Sequence, residues 1–243
     1  MIAAIRSEWI KLSTITVTWV LALLAVLFPI VVTVLTAAFA EDMSPTGLAE
    51  VISGTTIVAA MLLGVVGSIG ITNEFSHGTI RPTFAAMPDR WRPLLAKPVV
   101  QIVIATVLTT VIVVVSYVVG GAIATDPTSL DDGAGAALVG VVLLAIGLTV
   151  LGYGLGLLLR NSAATICLLL LWPLIAEGLI AGLLSVAGAE GAVKLLPYSA
   201  GFNMAIVDPD PDSFGRLGGG LYFFAWVVAI AVFGLIRTRR RDA

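Results

Sequence analysis

Six long stretches of this chain carry almost no charge, and they limit its fold more than any other feature. Residues 12–40, 51–73, 98–125, 133–159 and 217–236 contain no Asp, Glu, Lys or Arg, and residues 161–189 contain only Glu177. A helix needs roughly 18–20 apolar residues to cross about 30 Å of hydrocarbon, and each stretch meets that length. Inside hydrocarbon the backbone must bond to itself, so each stretch is expected to be a helix. The expected fold is an all-α membrane protein with spans at about 15–40, 46–72, 94–124, 134–159, 163–187 and 218–236. These spans account for most of the 243 residues, so one transmembrane domain over 1–243 is expected, with no independent catalytic domain.

Composition agrees: 59% of residues are hydrophobic, only 12% are charged, and the mean hydropathy is +1.08. Soluble domains carry about 25% charged residues. The placement of charge says more than its net value. With alternating sidedness, Arg6, Lys11, Arg81, Arg90, Arg92, Lys97, Arg160, Arg237, Arg239, Arg240 and Arg241 fall on one side, and only Lys194 and Arg216 on the other. The positive-inside rule then places both termini in the cytoplasm. The C-terminal arginines read as a topology anchor at anionic headgroups rather than a nucleic-acid site. Ala38-Phe39-Ala40 looks like a cleavage site, but the preceding apolar run exceeds the 7–15 residues of a signal peptide's apolar region, so the first span is expected to stay attached.

Residues 1–13 read as a short interfacial helix, with Ile2, Ile5, Trp9 and Leu12 on the apolar face and Arg6, Glu8, Lys11 and Ser13 elsewhere. Pro29 and Trp172-Pro173 are expected to bend their spans. Gly64, Gly67 and Gly70 in the second span are a candidate packing stripe. So are Gly140, Gly147, Gly152, Gly154 and Gly156 in the fourth, and Gly178 and Gly182 in the fifth. Residues 188–216 mix breakers (Pro197, Pro209, Pro211) with apolar pieces too short to span, which suit re-entrant or surface helices buried against protein.

The sizeable basic loop lies between spans two and three. Gly78 suits a helix C-cap, and Thr79 suits the N-cap of a new short helix with Pro82 in its first turn. Ile80, Phe84 and Met87 fall at i, i+4 and i+7 on one face, Pro88 ends the run, and Glu74, Arg81, Arg90 and Arg92 flank it. From these residues alone, two readings stand: a helix resting on headgroups, or a face that docks into a groove on a cytoplasmic partner.

The series Glu74-x-x-x-Gly78-Thr79-x-Arg81, then Met87-Pro88-x-Arg90 and Ala96-Lys97, resembles the first cytoplasmic loop of type-2 permease subunits of ATP-binding-cassette transporters. A surface helix before span one, six spans and a long outer segment before span six are also similar to that family. The resemblance covers essentially the whole chain. It implies that 74–92 is the coupling element docking on an ATPase subunit, with Glu74, Gly78, Thr79, Ile80, Arg81, Phe84, Met87 and Arg90 at the contact. It also implies export across a bacterial cell membrane, two permease chains (identical or similar), and ATP and Mg in the partner rather than here. His77 and Pro82 match no family requirement that we can place.

Consistent with that division of labour, the chain has no Gly-x-x-x-x-Gly-Lys-Ser/Thr phosphate loop. It has one histidine, His77, and one cysteine, Cys167, so no intrachain disulfide or histidine-rich metal site is expected. Glu74 and His77 at i, i+3 offer two ligands but no third nearby. Span serines lack a His or Lys partner at recognisable spacing, which argues against an intramembrane protease. No enzymatic role or cofactor is expected in this chain. The alternative to an ATP-driven permease is a secondary carrier or channel subunit without an ATPase partner. Glu177, an ionisable residue within a span, has two readings: a pathway or gate residue, or a carboxylate that reaches the outer interface or bonds a broken helix end.

Overall fold

A computed structural model describes residues 2–40, 44–79, 91–124, 128–211 and 213–241, and these are all-helical. The helices are α1 (Ile2–Thr14), α2 (Thr16–Phe39), α3 (Gly47–Ser76), α4 (Trp91–Ile123), α5 (Ala134–Leu159), α6 (Ser162–Leu171), α7 (Gly178–Val186), α8 (Pro197–Phe202) and α9 (Gly215–Arg241). Among the described residues six helices, with α6 and α7 joined through Trp172–Glu177 as one, are long and apolar enough to cross a membrane. Their bounds lie within about five residues of the expected spans. The expected short helix carrying Ile80, Arg81, Phe84, Met87 and Arg90 lies outside the described residues.

Helices α3 and α5 form the centre. Within their most apolar windows 67% and 61% of residues are buried, against 22% for α2, 22% for α4 and 17% for the α6–α7 span. Glycine makes this pairing possible. A Cβ on Gly152 of α5 would collide with the Gly64 carbonyl of α3, and one on Gly67 would collide with the Thr149 carbonyl. The same helix turns Gly147 and Gly154 toward Phe223 and Ala231 of α9. Thus α5 presents one small-residue face to α3 and another to α9, as close helix approach in lipid requires. The stripe at Gly178 and Gly182 differs, since nothing in the described chain lies within 4 Å of a Cβ placed on either.

Prolines within the spans have unequal effects: α2 stays α-helical through Pro29, and only Pro173 coincides with a departure from α-helix. Pro173 has no N–H to offer the carbonyl four residues back, and the chain there widens into a π turn over Trp172–Glu177. Pro98 sits inside α4, one turn after Leu94. At the tight join between α5 and α6, Arg160 takes a left-handed φ of 54° and Asn161 caps α6 by accepting from the Ala164 N–H at 3.0 Å.

The segment after α7 folds back onto the bundle. A 3₁₀ turn (Glu190–Leu195) leads into α8, where Tyr198, Ala200 and Gly201 are buried; Met204, Ala205 and Val207 follow, also buried. Gly140 of α5 admits the Met204 backbone, where any Cβ would collide with its carbonyl. The apolar piece at 202–207 is therefore largely packed on protein, as expected, whereas the turn Glu190–Leu195 holds no buried residue and Leu195 is 53% exposed.

Candidate functional site

The loop between α3 and α4 is rooted in a buried cluster of four charges drawn from three helices. Glu74 lies in the last turn of α3, Lys97 in the second turn of α4, and Glu8 and Lys11 on α1. The Lys97 Nζ contacts Glu8 Oε2 and donates to Glu74 Oε1 at 3.0 Å. The Lys11 Nζ donates to Glu8 Oε1 at 2.8 Å and to Glu74 Oε1 at 2.9 Å. Each lysine thus contacts both glutamates, and the quartet is electrically neutral.

Burial makes this arrangement consequential. Glu8 and Lys97 are each 3% exposed and Glu74 is 9% exposed. A charge removed from water is tolerated only when paired and well bonded, and removing one member of such a group costs about 3–5 kcal/mol. Lys11 is partly exposed. Burial opposes its charge, but hydrogen bonds and attraction from Glu8 and Glu74 outweigh that and raise its pKa above the ordinary lysine value.

The quartet corrects one sequence expectation. The sequence pattern sets Glu8 off the apolar face of the N-terminal helix. In the fold Ala4, Glu8 and Leu12, at i, i+4 and i+8, form the buried face, while Trp9 is 53% exposed. The wheel ranked residues by apolarity, but α1 turns Glu8 inward because two ammonium groups await it there.

Aromatic rings just inside the quartet brace the two roots of the loop. The Arg160 guanidinium lies 4.7 Å from the centre of the Phe75 ring, before the loop. The Arg239 guanidinium lies 5.0 Å from the centre of the Trp91 ring, after it. Both distances suit cation–π attraction. Gly78 has φ of 65°, the left-handed conformation expected of a C-cap, and Thr79 occupies the following turn. His77 is exposed and its Nδ1 is 2.9 Å from the Asn73 carbonyl oxygen. Among the described residues no group of three His, Cys, Asp or Glu side chains is placed to hold a metal.

Of the residues expected at the contact, Glu74, Gly78 and Thr79 are therefore brought together at the loop's first root, while Ile80, Arg81, Phe84, Met87 and Arg90 lie outside the described residues. Glu8 and Lys11 escaped sequence reasoning, as did the pairing role of Lys97. Their partners are up to 89 positions away in the chain.

Glu177 lies at the other end of the bundle. It is 2% exposed; Oε1 accepts from the Tyr198 N–H at 3.0 Å, and Oε2 accepts from the Ser199 N–H at 2.8 Å and the Ser199 hydroxyl at 2.9 Å. The carboxylate satisfies the first amides of α8, whose opening residue is Pro197.

Six apolar helices, a central glycine-packed pair and a charge-rooted loop define a multi-pass membrane protein with one specialised connection. Residues 4–176 match the model of the ABC-2 family transporter proteins, and the chain belongs to that family. It is a permease subunit of an ATP-binding-cassette transporter, and such permeases generally work with an ATPase partner. The matched span includes the whole quartet and stops one residue before Glu177. No curated protein and no solved structure matches this chain.

Proposed function

We propose that this chain is the membrane-embedded half of an ATP-driven exporter in a bacterial cell membrane, with both termini cytoplasmic. A separate ATPase subunit binds and hydrolyses ATP with Mg, and segment 79–92 docks on it through Ile80, Phe84 and Met87. The observation that carries this reading is the quartet. It grips both roots of the loop, Glu74 before and Lys97 after, and ties them to α1. A push on the loop is thereby delivered to α1, α3 and α4 together. Bistable packing converts such a push into a switch between two arrangements rather than a gradual bend.

A second permease chain, identical or similar, completes the pathway. The poorly buried α6–α7 span and the open Gly178 and Gly182 support a partner on that face. No step of catalysis is assigned to this chain.

The test is isolation of the tagged chain from native membranes, with assay of the eluate for ATP hydrolysis. The expected result is a stoichiometric cytoplasmic ATPase that is lost from Phe84→Asp while the chain still inserts. A preparation without ATPase that still transports in vesicles would establish a carrier or channel instead. Retention of the ATPase by Phe84→Asp would remove the docking assignment but leave the transporter reading intact.

A further inference from the structure

Pro98 leaves a carbonyl without its helical partner, and a side chain from another helix takes that partner's place. In an α-helix the N–H of residue 98 would donate to the carbonyl of residue 94, but proline has no N–H and its ring crowds that oxygen. The Leu94 carbonyl is instead met by the Tyr153 hydroxyl of α5, which donates to it at 2.7 Å. Tyr153 is 1% exposed and packs with Ile71, Leu94, Leu157 and Leu235, so its hydroxyl reaches through an apolar cluster to one acceptor. Tyrosine is placed in such interiors when its hydroxyl finds a partner.

We infer that the Tyr153 hydroxyl is a latch on a built-in weak point in α4, and that it positions Lys97 in the quartet. Lys97 immediately precedes Pro98 and lies within one turn of Leu94. Helix α4 runs on through Pro98, but the one helical bond from residue 98 to the Leu94 carbonyl is missing, and the hydroxyl from α5 supplies a substitute. With the latch closed, the first turns of α4 are held against the central helix and Lys97 stays between Glu8 and Glu74. With it open, those turns pivot at Pro98 and carry the second root of the loop with them. The bond itself stands on geometry alone. Its opening during transport rests on the transmission reading given above.

The logic can be tested by supplying the missing donor. Pro98→Ala restores an N–H for the Leu94 carbonyl. In the full-length chain in lipid nanodiscs, Tyr153→Phe is expected to speed amide exchange across 91–101 about tenfold, because a buried carbonyl loses its partner. In a Pro98→Ala background the same substitution should change exchange by less than about twofold, since the pair is coupled. Equal effects in both backgrounds, or no effect in either, would overturn the latch. Should Tyr153→Phe alone fail to accumulate, the double variant must recover yield, and failure to recover overturns the latch equally. Addition of the ATPase subunit separates the two claims. Altered exchange with unchanged transport per ATP would keep the latch and overturn the transmission reading.

Discussion

The two ends of the bundle bury carboxylates by different means. At one end Glu8 and Glu74 are each neutralised by ammonium groups on long flexible side chains from two different helices. At the other, Glu177 is solvated by two backbone amides and one hydroxyl of the chain it caps. Ion pairs can be exchanged among four partners when helices slide, because each lysine already contacts both acids. A carboxylate bound to consecutive amides has one arrangement and loses all its bonds together. The first suits a joint that transmits motion, and the second suits a fixed corner.

The most severe test removes Lys97. Lys97→Met leaves two buried carboxylates facing one half-exposed ammonium and should cost about 3–5 kcal/mol, read as a collapse in folded yield or in the denaturation midpoint in nanodiscs. Glu177→Gln should cost less, about 1–3 kcal/mol, because its amide presents donors to donors at one oxygen position; faster amide exchange at 196–200 is the readout. If Glu177→Gln proves the costlier of the two, the contrast between joint and corner is wrong. Ser199→Ala removes one of three bonds and leaves both backbone amides in place, so about 0.5–1.5 kcal/mol is expected in the same exchange experiment.

The smallest expected effect is that of pH on Lys11. Its pKa is raised on folding, so its contribution is complete below the ordinary lysine value and fades only as pH rises through the raised one. Between about pH 6 and 9 the denaturation midpoint should therefore show no slope from this group. A slope that Lys11→Met abolishes would show the quartet to be less tightly held than described.

The spans were legible because each apolar run announces its own solvent, and a helix in lipid needs no long-range partner to be recognised. Glu74 and Gly78 were legible through the local pattern at the end of a span. The quartet was not, since Glu8 meets Lys97 across 89 residues and Lys11 meets Glu74 across 63. A hint was present: Glu8 lies between Ala4 and Leu12 at helical spacing, an acid in an otherwise apolar row. Tyr153 gave no local sign, because its role depends on a proline in a different helix. Glu177 stood out as a lone charge in a span, but its partners, Tyr198 and Ser199 at the start of α8, lie 21 and 22 positions on and carried no local sign.

The quartet also orders the life of the chain before it is ever a transporter. Glu8 and Lys11 leave the ribosome first, but Lys97, the counter-charge that lets Glu8 be buried, is translated only at the start of the third span. Until then Glu8 lacks the counter-charge beside which it is buried. Completion of the third span is thus the event that can release it inward, so assembly of this end of the bundle runs backwards against the direction of synthesis.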